Sequence, residues 1–149
     1  MRDGKKIKGA TLAKYRLTTK DVGKRVSVRV SAQRTGFATG TATSSAVKVG
    51  KGKPSVKVTA AAVKVGKAPK VVVRVKAAGL TKPTGTVTVK YGSKSVKVQL
   101  SGKNKGKVVV TLPRLAKGTH KVKASFSPTK TTKKYVTKAS STTVKLRVR

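Results

Sequence analysis

The carboxylate side chains of this chain are Asp3 and Asp21, and its one imidazole is His120; there is no Glu and no Cys. General acid–base catalysis needs positioned groups that titrate near the working pH. A metal site needs several His, Cys, Asp or Glu ligands. These residues are too few for either. Ser and Thr are plentiful, but a hydroxyl nucleophile needs a base and a further group to orient that base. His120 is the one candidate base, and both aspartates belong to a different stretch of chain. No enzyme activity, catalytic residue, metal ligand or cofactor is therefore expected. The chemistry left is positive charge: 38 Lys and Arg stand against 2 acidic residues, a formal net charge of +36.

The scarce titratable groups read as structural. Asp21, in LTTKDVGK, suits a turn in which its carboxylate accepts local backbone N–H groups and Gly23 takes a left-handed conformation. Asp3, in Arg-Asp-Gly, suits a hairpin turn. His120 is in phase with Val122 and Ala124, which points it inward at the start of a strand. Tyr15, Tyr91 and Phe126 are in core phase, whereas Phe37 and Tyr135 fall on loop-like segments and are free for contact.

The elements that must position the cations have a period of two. Val26, Val28 and Val30 share a face opposite Arg25, Ser27 and Arg29. Further on, Val71, Val73 and Val75 alternate with Arg74 and Lys76, and Val87, Val89 and Tyr91 alternate with Thr86, Thr88 and Lys90. The same alternation selects Val56 and Val58, Val63 and Val65, Val96, Val98 and Leu100, and Val108, Val110 and Leu112. It closes with Val122, Ala124 and Phe126, and with Val144, Leu146 and Val148. Period two marks half-buried strands. Regular short spacing with Gly, Pro, Ser and Lys breaks predicts an all-β sandwich or barrel. The stretch GKGKPS, residues 50–55, reads as a linker. Pro54 to Arg149 is near the ~100 residues of a seven-strand sandwich. No apolar run approaches the ~18 residues of a membrane helix. The N-terminus lacks the apolar stretch of a signal peptide.

Three pieces in the second half carry a resemblance: Gly66-Lys-Ala-Pro69, Pro83-Thr-Gly-Thr-Val-Thr-Val89, and Leu115-Ala-Lys-Gly-Thr-His120 followed by Val122, Ala124 and Phe126. Residues 56–149 resemble a complete immunoglobulin-like repeat domain of bacterial secreted and cell-surface proteins. The chain departs from that family at Ser127-Pro128-Thr129-Lys130, where an acidic residue is usual, so no cation site is carried over. Residues 1–49 resemble a second type of bacterial Ig-like repeat, through RDGKKIKGAT, YRLTTKDVGKRVSVRVSA and GFATGTATSSAVKV. That family has strands before this point, so the resemblance implies a truncated unit with an uncovered apolar face. It also implies an extracellular spacer or adhesive module, the C-terminal part of a larger exported protein.

In an Ig sandwich, Lys90, Lys97, Lys121, Lys123, Lys145 and Arg147 all point outward from one sheet, and Lys130, Lys133 and Lys134 sit in the neighbouring loop. Ordinary solvated faces mix both signs, and this one does not. Such a cationic plate favours anionic wall polymers or acidic glycans, with anionic lipid as a further partner. Sequence-nonspecific nucleic-acid binding is the alternative, since the chain has no recognition helix and few aromatics for stacking. A virion decoration domain is a further reading. The sequence leaves the oligomeric state open.

Overall fold

The structure, a computed structural model, describes residues 1–149. The protein is all-β: twelve short strands with antiparallel pairing and three 3₁₀ turns. No helix is long and apolar enough to cross a membrane. The chain divides into two compact units, Met1–Lys51 and Gly52–Arg149.

The second unit contains the core. One sheet joins β5 (Ser55–Ala60), β6 (Lys70–Lys76) and β9 (Lys107–Thr111), with β6 in the middle. The other sheet contains β7 (Gly85–Tyr91), β8 (Lys94–Leu100), β10 (Gly118–Pro128), β11 (Ala139–Ser140) and β12 (Val144–Val148). Its order is β8, β7, β10, and both β11 and β12 flank the far edge of β10. Valine favours strands because a branched Cβ packs well on a pleated surface. The inward-facing Val71, Val73, Val87, Val89, Val122 and Ala124 are fully buried. They belong to one apolar cluster with Leu100, Leu112, Leu146 and Phe126. Burying each of these Val, Leu and Phe side chains contributes about 1.5–3 kcal/mol, so this two-sided valine layer can hold the unit without tryptophan or disulfides.

After β5 the chain changes sheets. Val63 bridges Val148 in parallel, the Val65 N–H donates to the Arg149 carbonyl at 2.7 Å, and the Arg149 N–H donates to the Val63 carbonyl at 2.9 Å. This edge position leaves Val63 half-buried and Val65 53% exposed. Val65, expected in the core, is therefore a surface residue. Val58, Val96, Val98 and Val144 are only half-buried for a related reason, because they sit on outer strands of their sheets.

The segment 50–55 is not a free linker. Gly52 pairs with Val136, its N–H donating to the Tyr135 carbonyl at 2.9 Å and its carbonyl accepting the Thr137 N–H at 3.0 Å. Pro54 is buried and Ser55 already opens β5. Tyr135, expected to be free, packs against the core beside fully buried Val136.

The first unit is two ribbons. β1 (Arg25–Val26) pairs with β4 (Val47–Lys48), and β2 (Arg29–Ala32) pairs with β3 (Gly40–Thr43). Met1 and Arg2 lie on the other side of β1, where Arg2 bridges Val26. Arg2 also bridges Lys5 around Asp3 and Gly4, both at positive φ, as a two-residue hairpin turn requires. In this unit Asp21 alone is buried. Val28, Val30, Phe37 and Val47 are each more than half exposed. Tyr15 and Leu17, expected in core phase, are also exposed, since there is no facing layer to cover them.

Gly85 exists for contact. A Cβ there would clash with the Ser127 carbonyl and lie 2.6 Å from the Phe126 ring. We expect Gly85→Ala to destabilise the second unit by about 1–3 kcal/mol through overpacking, read as a lower denaturant midpoint at unchanged m-value.

Candidate polyanion-binding face

The outer face of the five-stranded sheet is set by register. Lys90 on β7 lies directly opposite Lys123 on β10, and Lys121 on β10 lies directly opposite Lys145 on β12. Arg147 follows, opposite Thr119. All five cations are exposed. Side chains directly opposite one another on antiparallel strands stand about 4.5–5.5 Å apart at Cβ, and like charges so placed are destabilising. No carboxylate relieves them. The two ion pairs in the chain are Arg2 with Asp21 and Lys24 with Asp3, all four in the first unit.

The same register separates the other expected members. Lys97 on β8 is opposite Thr88, which is opposite Ser125. The next row is Gln99, Thr86 and Ser127. The outer face therefore has a hydroxyl half, formed by Thr86, Thr88, Ser125, Ser127 and Gln99, and a cationic half. Lys97 is the one cation of the hydroxyl half and lines a shallow depression there with Thr86, Thr88, Gln99 and Ser127.

Lys130, Lys133 and Lys134 are exposed, but they do not neighbour the lysine pairs. They follow Pro128, at the far end of β10 from Lys121. The five residue steps from Lys123 to Pro128 span about 17 Å. The expected continuous plate is thus two cationic groups at opposite ends of a polar strip. A hydroxyl cluster holds the far group: Thr84 Oγ1 lies 2.8 Å from both Thr129 Oγ1 and Thr132 Oγ1, and the Thr84 N–H donates to Thr132. Thr132 is buried, which turns Lys133 and Lys134 outward. The period-two pattern already put Thr86 and Thr88 on the outer face. Their alignment with Ser125 and Ser127 needed the β7–β10 register.

His120 lies half-buried at the start of β10, opposite Leu146, and its Nε2 is 2.8 Å from the Ala116 carbonyl. Phe37 is 67% exposed, with the Arg34 guanidinium 4.9 Å from its ring centre.

Asp21 does close a turn, but it also reaches across the first unit. Its Oδ2 accepts from the Thr18 N–H at 2.7 Å, the Thr18 hydroxyl at 2.9 Å and the Tyr15 hydroxyl at 3.0 Å. Its Oδ1 accepts from Arg2 Nε at 2.7 Å. Gly23 follows at φ 82°, as the turn requires. Burial alone would raise the Asp21 pKa. The Thr18 N–H, Arg2, the Thr18 hydroxyl and Tyr15 outweigh burial and hold it at about 2. Asp3 is also held below the usual carboxylate range, first by the Arg25 N–H and then by Lys24.

Comparison with protein families, with curated proteins and with solved structures finds no match.

A carboxylate whose folded pKa is lowered stabilises the fold above its unfolded pKa, and that contribution is lost as pH falls through the folded value. The contacts of Asp21 should therefore be intact at neutral pH. They should weaken from about pH 4 downward and be lost near the folded value of about 2. The Arg2 and Tyr15 side-chain NMR signals should report this loss before the β7–β10 amides change. Asp21→Asn should bring the same loosening at pH 7.

Proposed function

We propose that this protein is a non-catalytic, immunoglobulin-like surface module that holds anionic wall polymers or acidic glycans. Its site is the outer face of the five-stranded sheet. The observation that carries the reading is the pair of unrelieved cross-strand contacts, Lys90 with Lys123 and Lys121 with Lys145. Each costs stability. A multivalent anion bridging the four ammonium groups would convert that cost into binding energy.

The strand order supports the immunoglobulin-like part of the reading. β5, β6 and β9 face β7, β10 and β12 as strands A, B and E face C, F and G in that fold, with β8 added beside β7. The sequence resemblance points to the same class and to an exported, cell-surface setting. The adjoining hydroxyl half favours a polymer that itself carries hydroxyls. Threonine, serine and glutamine can both donate to and accept from sugar or polyol hydroxyls, a contact that a duplex groove does not need.

The test is retention of the full chain on immobilised acidic glycan, poly(glycerol phosphate) and duplex DNA across a salt gradient. Glycan or polyol-phosphate retention should exceed that on DNA in salt resistance. Retention strongest on DNA would favour the nucleic-acid reading instead. The double variant Lys123→Glu, Lys145→Glu creates two opposite-charge cross-strand pairs. It should melt at or above the wild-type temperature, each new pair stabilising by about 0.2–1 kcal/mol, while polymer retention falls. Unchanged retention on all three supports would sink the proposal.

A further inference from the structure

The three-stranded sheet of the second unit carries a cationic row of its own. On β6, Lys70, Val72, Arg74 and Lys76 face outward, alternating with the buried Val71, Val73 and Val75. Register places Lys57 of β5 directly opposite Arg74 on one side and Lys107 of β9 directly opposite it on the other. All three cations are exposed. Neighbouring strands lie about 4.8 Å apart, so three like charges stand in line across the full width of the sheet. None of the three has a carboxylate partner.

The next outward row, two residues along and about 6.8 Å away, is Thr59, Val72 and Val109. Val72 is half-buried and Val109 is 49% exposed. Beyond that row stands Lys70, opposite Thr111. Along β6 this face is therefore an apolar strip with a cation on either side. The lysine face of the other sheet differs, since hydroxyls adjoin its cations. The inner residues of both sheets belong to one apolar cluster, so the two outer faces point away from each other.

We infer that the outer face of the three-stranded sheet is a second binding site, separate from the lysine face, and that it takes the carboxylates of an acidic glycan. The Arg74 guanidinium offers paired N–H donors that match a carboxylate, and Lys57 and Lys107 add charge on either side. A pyranose ring has a face rich in C–H groups, and resting that face on Val72 and Val109 removes apolar surface from water. A linear polyol phosphate has no such ring face. Nucleic acid is a poorer occupant, because no aromatic side chain stands on this sheet face to stack with a base. A second copy of this chain, also at +36, is repelled. The site stands on its own residues. Its consequence rests on the polymer reading of the lysine face: with two anion sites back to back, one domain bridges two polymer chains.

The probes are a short oligogalacturonate, the same oligomer with its carboxylates methyl-esterified, and inorganic polyphosphate. Each is added to the isotopically labelled full chain carrying Lys123→Glu and Lys145→Glu, which removes the lysine face from the measurement. Saturable binding of the oligogalacturonate is expected, with the signals of Lys57, Val72, Arg74, Lys107 and Val109 shifting together, and no such binding of the ester. Arg74→Glu turns two like-charge contacts into opposite-charge pairs, so the fold should melt at or above its former temperature. The shifts should vanish and affinity should fall about tenfold or more. Val109→Thr keeps a β-branched residue on the strand and adds a hydroxyl. It should weaken oligogalacturonate binding and leave polyphosphate binding unchanged. Absent shifts in the row, equal binding of the ester, indifference to Arg74→Glu, or an equal effect of Val109→Thr on both anions would each overturn the inference. Bridging is read as capture of labelled polygalacturonate on immobilised polygalacturonate by the wild type. Arg74→Glu alone, or the lysine-face variant alone, should abolish it. Capture that survives Arg74→Glu would also overturn the inference. No capture, with Arg74-dependent binding intact, would instead refute the lysine face as a polymer site and leave this one standing.

Discussion

A lysine or arginine buried without a counter-charge costs several kcal/mol, and the second unit contains no carboxylate side chain to supply one. Every cation there must reach water. With cations recurring at outward positions of segments that alternate with period two, the chain satisfies this as strands that put one face in and the other out. The sheet architecture, the valine core and the bare cationic outer face all follow from that one restriction. The inner positions have to carry the whole apolar burden, which is why Val71, Val73, Val87, Val89 and Val122 are sealed and why Gly85 must yield its side-chain volume to Phe126.

The same restriction has a second consequence. Residues that face outward on adjacent strands are brought together by register, whatever their charge. Lys90 meets Lys123 and Lys121 meets Lys145 because core packing of Val89 on Ala124 and of Val122 beside Val144 sets the pairing. The repulsion is tolerated because all four lysines are exposed, where water's high dielectric weakens it and flexible four-carbon stems let the ammonium groups splay apart. Lysines paired this way cost some stability. The first unit is organised differently. With one buried residue and no facing sheet, its long-range order is tied to a carboxylate that joins Arg2, Tyr15 and Thr18. A polar tie of this kind holds one end of a ribbon and leaves Val28, Val30 and Val47 in water.

The legibility of particular residues tracks how local their determinants are. Val73 and Val87 were readable as core because neighbours two residues away carry the signal. Val65 was not, since its exposure comes from a change of sheets and a parallel bridge to the C-terminal strand. Tyr135 read as a free loop residue because the loop's packing beside Val136 leaves no periodic trace. Pro54 read as linker punctuation. It is buried because Gly52 pairs with a segment more than eighty residues away.

The sequence by itself determined the all-β class, the inward and outward faces of most strands, the structural role of Asp21 and Gly23, and the predominance of positive charge. Alternation and turn chemistry act between near neighbours, so they are written along the chain. Tertiary structure alone decided which outward residues stand together. Cross-strand register divides the face into lysine pairs and a hydroxyl strip and sends Lys130, Lys133 and Lys134 to its far end. Register is set by core packing between strands far apart in sequence, and no local pattern encodes it.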